Sequence, residues 1–159
     1  MSSFIDKLTN AEEKFLVYSL MFTTTLIAAQ IFMRYVMQSS LSWSEELTRY
    51  VFLWQIWVGA SYAISVKKHL KIDVFVNSLH GGAKRTVQFV ALCLWFFFSG
   101  FLAVKGTELV LWVYRQEQLS TAMQIPMAIP YLAIPLGGTL MAIKLVYEFK
   151  MLFSTQDGA

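Results

Sequence analysis

Four long stretches of the chain contain no Asp, Glu, Lys or Arg. They are residues 15–33, 50–66, 86–104 and 118–143. A helix needs roughly 20 predominantly apolar residues to cross the hydrocarbon core of a bilayer, and these stretches are close to or above that length. The sequence therefore predicts an all-α integral membrane protein with four transmembrane helices in a single membrane domain, residues 1–159. The predicted spans are residues 15–37, 45–66, 86–112 and 130–150.

Composition excludes several other classes of protein. The chain is 57% hydrophobic and 14% charged, whereas soluble domains average about 45–50% and about 25%. Little chain remains outside the spans for a nucleotide-binding domain, and no glycine-rich phosphate loop is present. Because Cys93 is the single cysteine, a disulfide framework and a cysteine-based metal site are excluded. The first span is longer than the apolar core of a cleaved signal peptide, so we expect it to be retained.

The distribution of basic residues predicts the orientation. With four spans, both termini and the loop at residues 67–85 lie on one side of the membrane. Most of the 13 Lys and Arg residues fall on that side, which the positive-inside rule assigns to the cytoplasm. The basic residues that give the net charge of +3 lie beside apolar stretches. This placement favours an interaction with lipid headgroups and argues against binding of nucleic acid.

Two interfacial helical segments are expected outside the spans. Ser42 and Glu45 fit a capping box at the start of helix 2, and Glu45 is four residues from Arg49, so the two can form an ion pair. Before helix 4, Pro126 and Pro130 argue against one long helix and favour a re-entrant or surface-lying segment. Pro135 should bend the first turns of helix 4.

Polar residues within the spans are few and favour packing over chemistry. Gln30, Gln55 and Gln88 are expected to hydrogen-bond between helices. Lys144 lies near a span end, where a long basic side chain usually reaches the headgroups. Both histidines fall in the loop at 67–85, away from membrane depth. We therefore predict no catalytic residue, no bound cofactor and no metal site in this chain.

Small residues favour close helix approach at two places, Gly59 with Ala63 and Gly138 with Ala142. At the start of helix 2, Glu45, Glu46 and Arg49 admit two interpretations. They are either a helix cap with a surface ion pair, or an anchor at a contact with another subunit.

The order and spacing of several short motifs resemble the small membrane subunit, the DctQ-type or Q subunit, of tripartite ATP-independent periplasmic (TRAP) transporters. The resemblance covers nearly the whole chain. Its motifs are Arg34-Tyr35, Trp43-Ser44-Glu45-Glu46, Arg49-Tyr50, Trp54, Gly59-Ala60, His69-Leu70-Lys71-Ile72-Asp73, Ser120-Thr121-Ala122-Met123-Gln124-Ile125-Pro126, Ile129-Pro130-Tyr131, Pro135-Leu136-Gly137 and Leu140-Met141.

The resemblance implies a role in organic acid uptake across a bacterial inner membrane. In such systems a periplasmic substrate-binding protein delivers a carboxylate, such as sialic acid or a C4-dicarboxylate, to a membrane complex. A large TRAP membrane subunit holds the substrate and sodium and moves as an elevator, while the small subunit is a scaffold in contact with membrane lipids. The interface or structural residues implied here are Trp43, Ser44, Glu45, Glu46, Arg49, Trp54, Gly59 and Asp73. The implied periplasmic docking surface is Gln124, Ile125, Pro126 and Pro130.

Two other functions are weighed against this one. A self-sufficient small transporter acting as a homodimer would need an acidic residue within its first span, and residues 15–33 contain none. A membrane enzyme of the thiol oxidase or haem type would need cysteine pairs or histidines in the spans, and this sequence lacks both.

Overall fold

The computed structural model describes residues 2–39, 41–66 and 82–154. These residues form four long helices and one short one. The elements are α1 (Ser2–Tyr35), α2 (Ser42–Val66), α3 (Gly82–Arg115), α4 (Ala128–Tyr131) and α5 (Ala133–Ser154). Within the described residues, β pairing is confined to an isolated bridge between Leu119 and Pro126, so the predicted all-α class is confirmed.

Three helices are long and apolar enough to cross a membrane. They are Phe4–Tyr35, Phe89–Arg115 and Ala128–Lys150, which match the first, third and fourth predicted spans. The 25-residue helix α2 is long enough, but polar residues such as Gln55 and Ser61 reduce its hydropathy. A fourth span at α2 and the cytoplasmic position of the termini therefore stay predictions.

Helix α1 begins well before the span predicted from Phe15. Residues 2–14 hold several charged residues but neither Pro nor Gly, so nothing in this segment interrupts a helix. Two of its side chains, Ile5 and Glu12, are buried against the rest of the fold. Helix α3 is likewise longer than predicted at both ends, because the helix continues through residues too polar to count toward an apolar span.

The helices pack in the spatial order α1, α2, α5, α3. Helix α1 lies on α2, and α5 lies between α2 and α3. Burial follows this order. In the helical segment Ala128–Lys150, which contains α5, 44% of the most apolar stretch is buried, whereas the share is only 11% in α1 and in α3. The last helix in sequence is therefore the central one, and α1 and α3 present most of their apolar surface outward.

Neighbouring glycines allow α5 to approach both of its partners closely. A Cβ atom on Gly137 would lie 2.7 Å from the Cβ of Trp57 in α2, and one on Gly138 would lie 2.9 Å from the backbone nitrogen of Ala103 in α3. The predicted close approach at Gly138 is thus confirmed. At Gly59 a Cβ atom would make only an ordinary contact, 3.7 Å from Leu16.

Helices α1 and α2 are joined by hydrogen bonds between side chains along their length. Thr9 donates to Ser65 at 3.0 Å, Ser61 to Glu12 at 2.8 Å, Gln55 to Thr23 at 3.3 Å and Gln30 to Glu45 at 2.7 Å. The predicted interhelical role of Gln30 and Gln55 is confirmed. The side chain of Gln88 lies outside the described part of the chain.

Candidate functional site

A tight loop connects α3 to α4 where a surface helix was predicted. The bridge between Leu119 and Pro126 closes it, and the backbone N–H of Ser120 donates to the carbonyl of Ile125 at 2.9 Å. Gln124 adopts a left-handed backbone with φ of 55°, which no helix accommodates. The predicted interfacial helix before the last span is therefore wrong, apart from the single turn of α4.

Glu46 fastens this loop to the first turns of α2. One carboxylate oxygen accepts the backbone N–H groups of Ala122 and Met123 at 2.8 and 2.9 Å. The other accepts the hydroxyl of Tyr50, whose oxygen also lies 3.1 Å from the sulfur of Met127. We call this set of contacts the Glu46 clasp.

The hydrogen bonds of the clasp favour the charged carboxylate. Glu46 lies before the apolar run of α2, at a helix N-terminus, where the helix dipole stabilises negative charge. The hydroxyl of Tyr50 and the backbone amides of Met123 and Ala122 all donate to this carboxylate. These donated hydrogen bonds stabilise the charged form of Glu46.

The neighbouring Glu45 points to a different partner. Its carboxylate accepts the amide of Gln30 at 2.7 Å and lies 3.8 Å from the guanidinium of Arg34, both in α1. Within the described residues Glu45 forms no ion pair with Arg49, so that prediction is wrong. Two donors on α1 are within reach of Glu45, so the carboxylate faces the neighbouring helix and not its own.

The start of α2 also differs from the predicted capping box. Ser42 already lies within the helix. The buried side chain of Ser44 instead donates to the carbonyl of Leu41 at 2.8 Å. Since Glu45 and Glu46 are engaged with α1 and with the loop, neither is available to complete the predicted box.

A second polar cluster joins three helices at the other end of the molecule. The ammonium of Lys144 in α5 donates to the carboxylate of Glu12 in α1, and to the carbonyl of Ser61 in α2 at 3.0 Å. The hydroxyl of Ser61 donates to the second oxygen of Glu12 at 2.8 Å. Lys144 and Glu12 are only 2% and 5% exposed.

The prediction that Lys144 reaches the headgroups is therefore wrong. Glu12, 132 residues away in sequence, supplies a buried partner that satisfies the ammonium. Sequence reasoning missed this pair because it placed Glu12 before the first span, outside the helical bundle.

The remaining interface residues are dispersed along α2. Trp43 and Arg49 are exposed, while Trp54 and Gly59 are half-buried. Asp73 lies outside the described residues, as do the rest of its motif and most of the predicted basic loop. The structure does not bring this set together as one site, since even the adjacent residues Ser44, Glu45 and Glu46 bind different partners.

The proposed docking residues differ in their accessibility. Gln124 and Pro126 are exposed and Ile125 is half-buried, all three within the loop that the Glu46 clasp holds. Pro130 is buried in α4. It can support the shape of this surface, but its side chain is not presented to a partner.

The described residues offer no evident site for a metal ion. Within residues 2–39, 41–66 and 82–154, no three His, Cys, Asp or Glu side chains come together. Each buried polar side-chain atom in that part of the chain has a hydrogen-bond partner.

Comparison with known proteins assigns the family. Residues 23–155 match the model of the DctQ component of tripartite ATP-independent periplasmic transporters. The chain belongs to the DctQ family. Its members are transporter components, and the three long apolar helices of this chain are those of a multi-pass membrane protein.

Individual relatives are similar at a modest level. The C4-dicarboxylate TRAP transporter small permease protein DctQ of Rhodobacter capsulatus is 33% identical over 66% of this chain and 46% of the relative. The isethionate TRAP transporter permease protein DctMQ of Oleidesulfovibrio alaskensis is 23% identical over 87% of the chain and 23% of the relative. The ectoine TRAP transporter small permease protein TeaB of Halomonas elongata is 21% identical over 88% and 72%. The matched region thus spans about half of the first relative's length.

Proposed function

We propose that this chain is the small accessory subunit of a sodium-driven TRAP importer of organic acids in a bacterial inner membrane. It supports the large elevator-type subunit and helps to dock the periplasmic substrate-binding protein. One observation carries the proposal. The buried charged groups of the described residues, Glu12, Glu46 and Lys144, are all engaged within the fold.

A carrier needs polar or ionisable groups that face a pathway and exchange partners with substrate or ions. In this chain Glu12 and Lys144 neutralise each other, and Glu46 holds a loop of its own chain. Such groups stabilise one arrangement of helices, which suits a static scaffold. Substrate and sodium would then bind to the large partner subunit, with no cofactor in this chain.

The names of the relatives support the same assignment. One relative is named DctMQ, and this chain matches only 23% of its length, which fits a fusion of a small subunit with a larger one. The relatives' names include C4-dicarboxylate, isethionate and ectoine. We propose organic acids, such as C4-dicarboxylates or sialic acid, as the substrate class for this chain.

Purification of the tagged chain from its native membranes in mild detergent tests the proposal. We expect a much larger polytopic membrane protein to co-purify in near-stoichiometric amount, and deletion of this chain to abolish uptake of the substrate. A homodimer that transports substrate after reconstitution alone would establish the alternative, a self-sufficient small transporter.

Docking of the binding protein is tested at the loop. Gln124→Arg changes an exposed position in the loop, and Asn10→Arg makes the same change at an exposed position near the start of α1. We expect Gln124→Arg to weaken binding of the soluble protein to the purified membrane complex while leaving that complex intact. Equal binding by the two variants would exclude this loop from the docking surface.

A further inference from the structure

The two outermost helices of the bundle each carry one charge-free band. In α1 the band is residues 15–33, centred on Thr24, and in α3 it is residues 86–104, centred on Trp95. At 1.5 Å per residue each band is about 28 Å long, close to the roughly 30 Å thickness of a bilayer's hydrocarbon core. Each band alone is therefore long enough to match the core.

Contacts across the bundle show that these bands do not lie level. Gln55 of α2 contacts Thr23 of α1 at 3.3 Å. Two residues further along α2, Trp57 meets Gly137 of α5. Pro135, two residues before that glycine, meets Gly106 of α3. This path places Thr23 level with Gly106.

The centres of the bands are therefore displaced along the helix axes. Trp95 lies about 12 residues, or about 18 Å, from the level of Thr24. The bands of α1 and α3 cannot both be centred in a flat bilayer if the helices stand upright.

An upright bundle centred on α1 would place charged residues of α3 in the hydrocarbon. Lys105 and Glu108 form an ion pair at 2.7 Å, and their side chains are 56% and 59% exposed. Charges that face lipid near mid-membrane are strongly disfavoured. The same arrangement would move the exposed aromatic side chains Trp95 and Phe97 out toward the headgroups.

We infer that the helices lean together in the bilayer, with the lipid-contacting surface running obliquely from residues 15–33 of α1 to residues 86–104 of α3. Adjacent helix axes lie 8–10 Å apart, so three steps across the row span at most about 30 Å, and a displacement of about 18 Å requires a lean on the order of 30° or more.

The lean has two consequences for what stands in water. The last turns of α3, beyond Lys105, rise above the hydrocarbon together with the loop that the Glu46 clasp holds. The first turns of α1, before Phe15, stand on the opposite side. Neither consequence depends on the proposed function, and only the assignment of the α3 end to the periplasm rests on the predicted orientation.

Matched cysteine pairs test the lean in native membranes of cells that express the full chain. In a Cys93→Ala background, Ala28→Cys and Ala29→Cys of α1 are level with Leu111→Cys and Trp112→Cys of α3. All four positions are exposed, and the two in α3 face different directions, so one neighbour cannot cover both. The probe is a membrane-impermeant maleimide, applied first to intact spheroplasts and then to permeabilised ones.

We expect Leu111→Cys and Trp112→Cys to label at least about tenfold faster than Ala28→Cys and Ala29→Cys, because a thiol in hydrocarbon is not ionised. If the α1 and α3 positions label at equal rates, whether all of them label fast or none labels, the lean is overturned. If the α3 positions label faster only after permeabilisation, the lean stands and the predicted orientation is reversed. Membrane content of each variant, measured by immunoblot, controls for folding.

Discussion

The buried pair of Glu12 and Lys144 predicts an asymmetric response to substitution. Lys144→Met removes an ammonium that donates both to Glu12 and to the carbonyl of Ser61. Glu12 then keeps only the hydroxyl of Ser61 as a partner while it remains almost fully buried. Leaving one charge of a buried pair uncompensated costs about 3–5 kcal/mol.

Replacing both charges should cost much less. With Glu12→Leu and Lys144→Met together, no charge remains in this cluster and its space stays filled, and such exchanges are often neutral or even stabilising. The free energy of unfolding of the double variant should therefore exceed that of Lys144→Met by about 2 kcal/mol or more, as a double-mutant cycle measures.

The assay is unfolding of the purified protein in detergent, by denaturant titration followed through tryptophan fluorescence. Lys105→Met is the matched control, because Lys105 is also paired with a carboxylate but is exposed. Such exposed pairs contribute about 0–1 kcal/mol. The reasoning is refuted if Lys144→Met lowers the free energy of unfolding no more than Lys105→Met does. It is also refuted if the double variant loses as much as Glu12→Leu and Lys144→Met lose separately, added together.

Three further predictions concern other contacts. Glu46→Gln should release the loop between α3 and α4, seen as faster limited proteolysis there, whereas Glu45→Gln should leave that rate unchanged. Gly138→Ala should destabilise the protein by about 1–3 kcal/mol, because its Cβ atom would meet the backbone of α3. Gly100→Ala is the control, since the space at its Cβ position is open, and the same unfolding titration compares the two variants. Gln55→Leu should cost about 0.6 kcal/mol, typical of one hydrogen bond between membrane helices, and a loss above 2 kcal/mol would contradict that role.

Charge-free stretches were sufficient to predict the class of fold and the approximate positions of the helices. Bilayer thickness limits how a long apolar stretch can fold, so this information is local in sequence. The same reasoning could not predict that Lys144 meets Glu12, because the pairing depends on how distant helices pack. It also failed at residues 118–127, where the left-handed residue Gln124 and the carboxylate of Glu46 stabilise a loop.

The two adjacent glutamates of α2 show how a short motif can organise one end of the molecule. Successive residues on a helix point about 100° apart, so Glu45 and Glu46 necessarily face different neighbours. Glu45 binds α1 through Gln30, and Glu46 binds the loop through Ala122 and Met123. The first turn of α2 is therefore the junction that connects α1 to the exposed loop. The carboxylate of Glu46 already holds this loop in place within the chain. A subunit that docks on the loop would therefore meet a surface whose shape does not depend on the energy of docking.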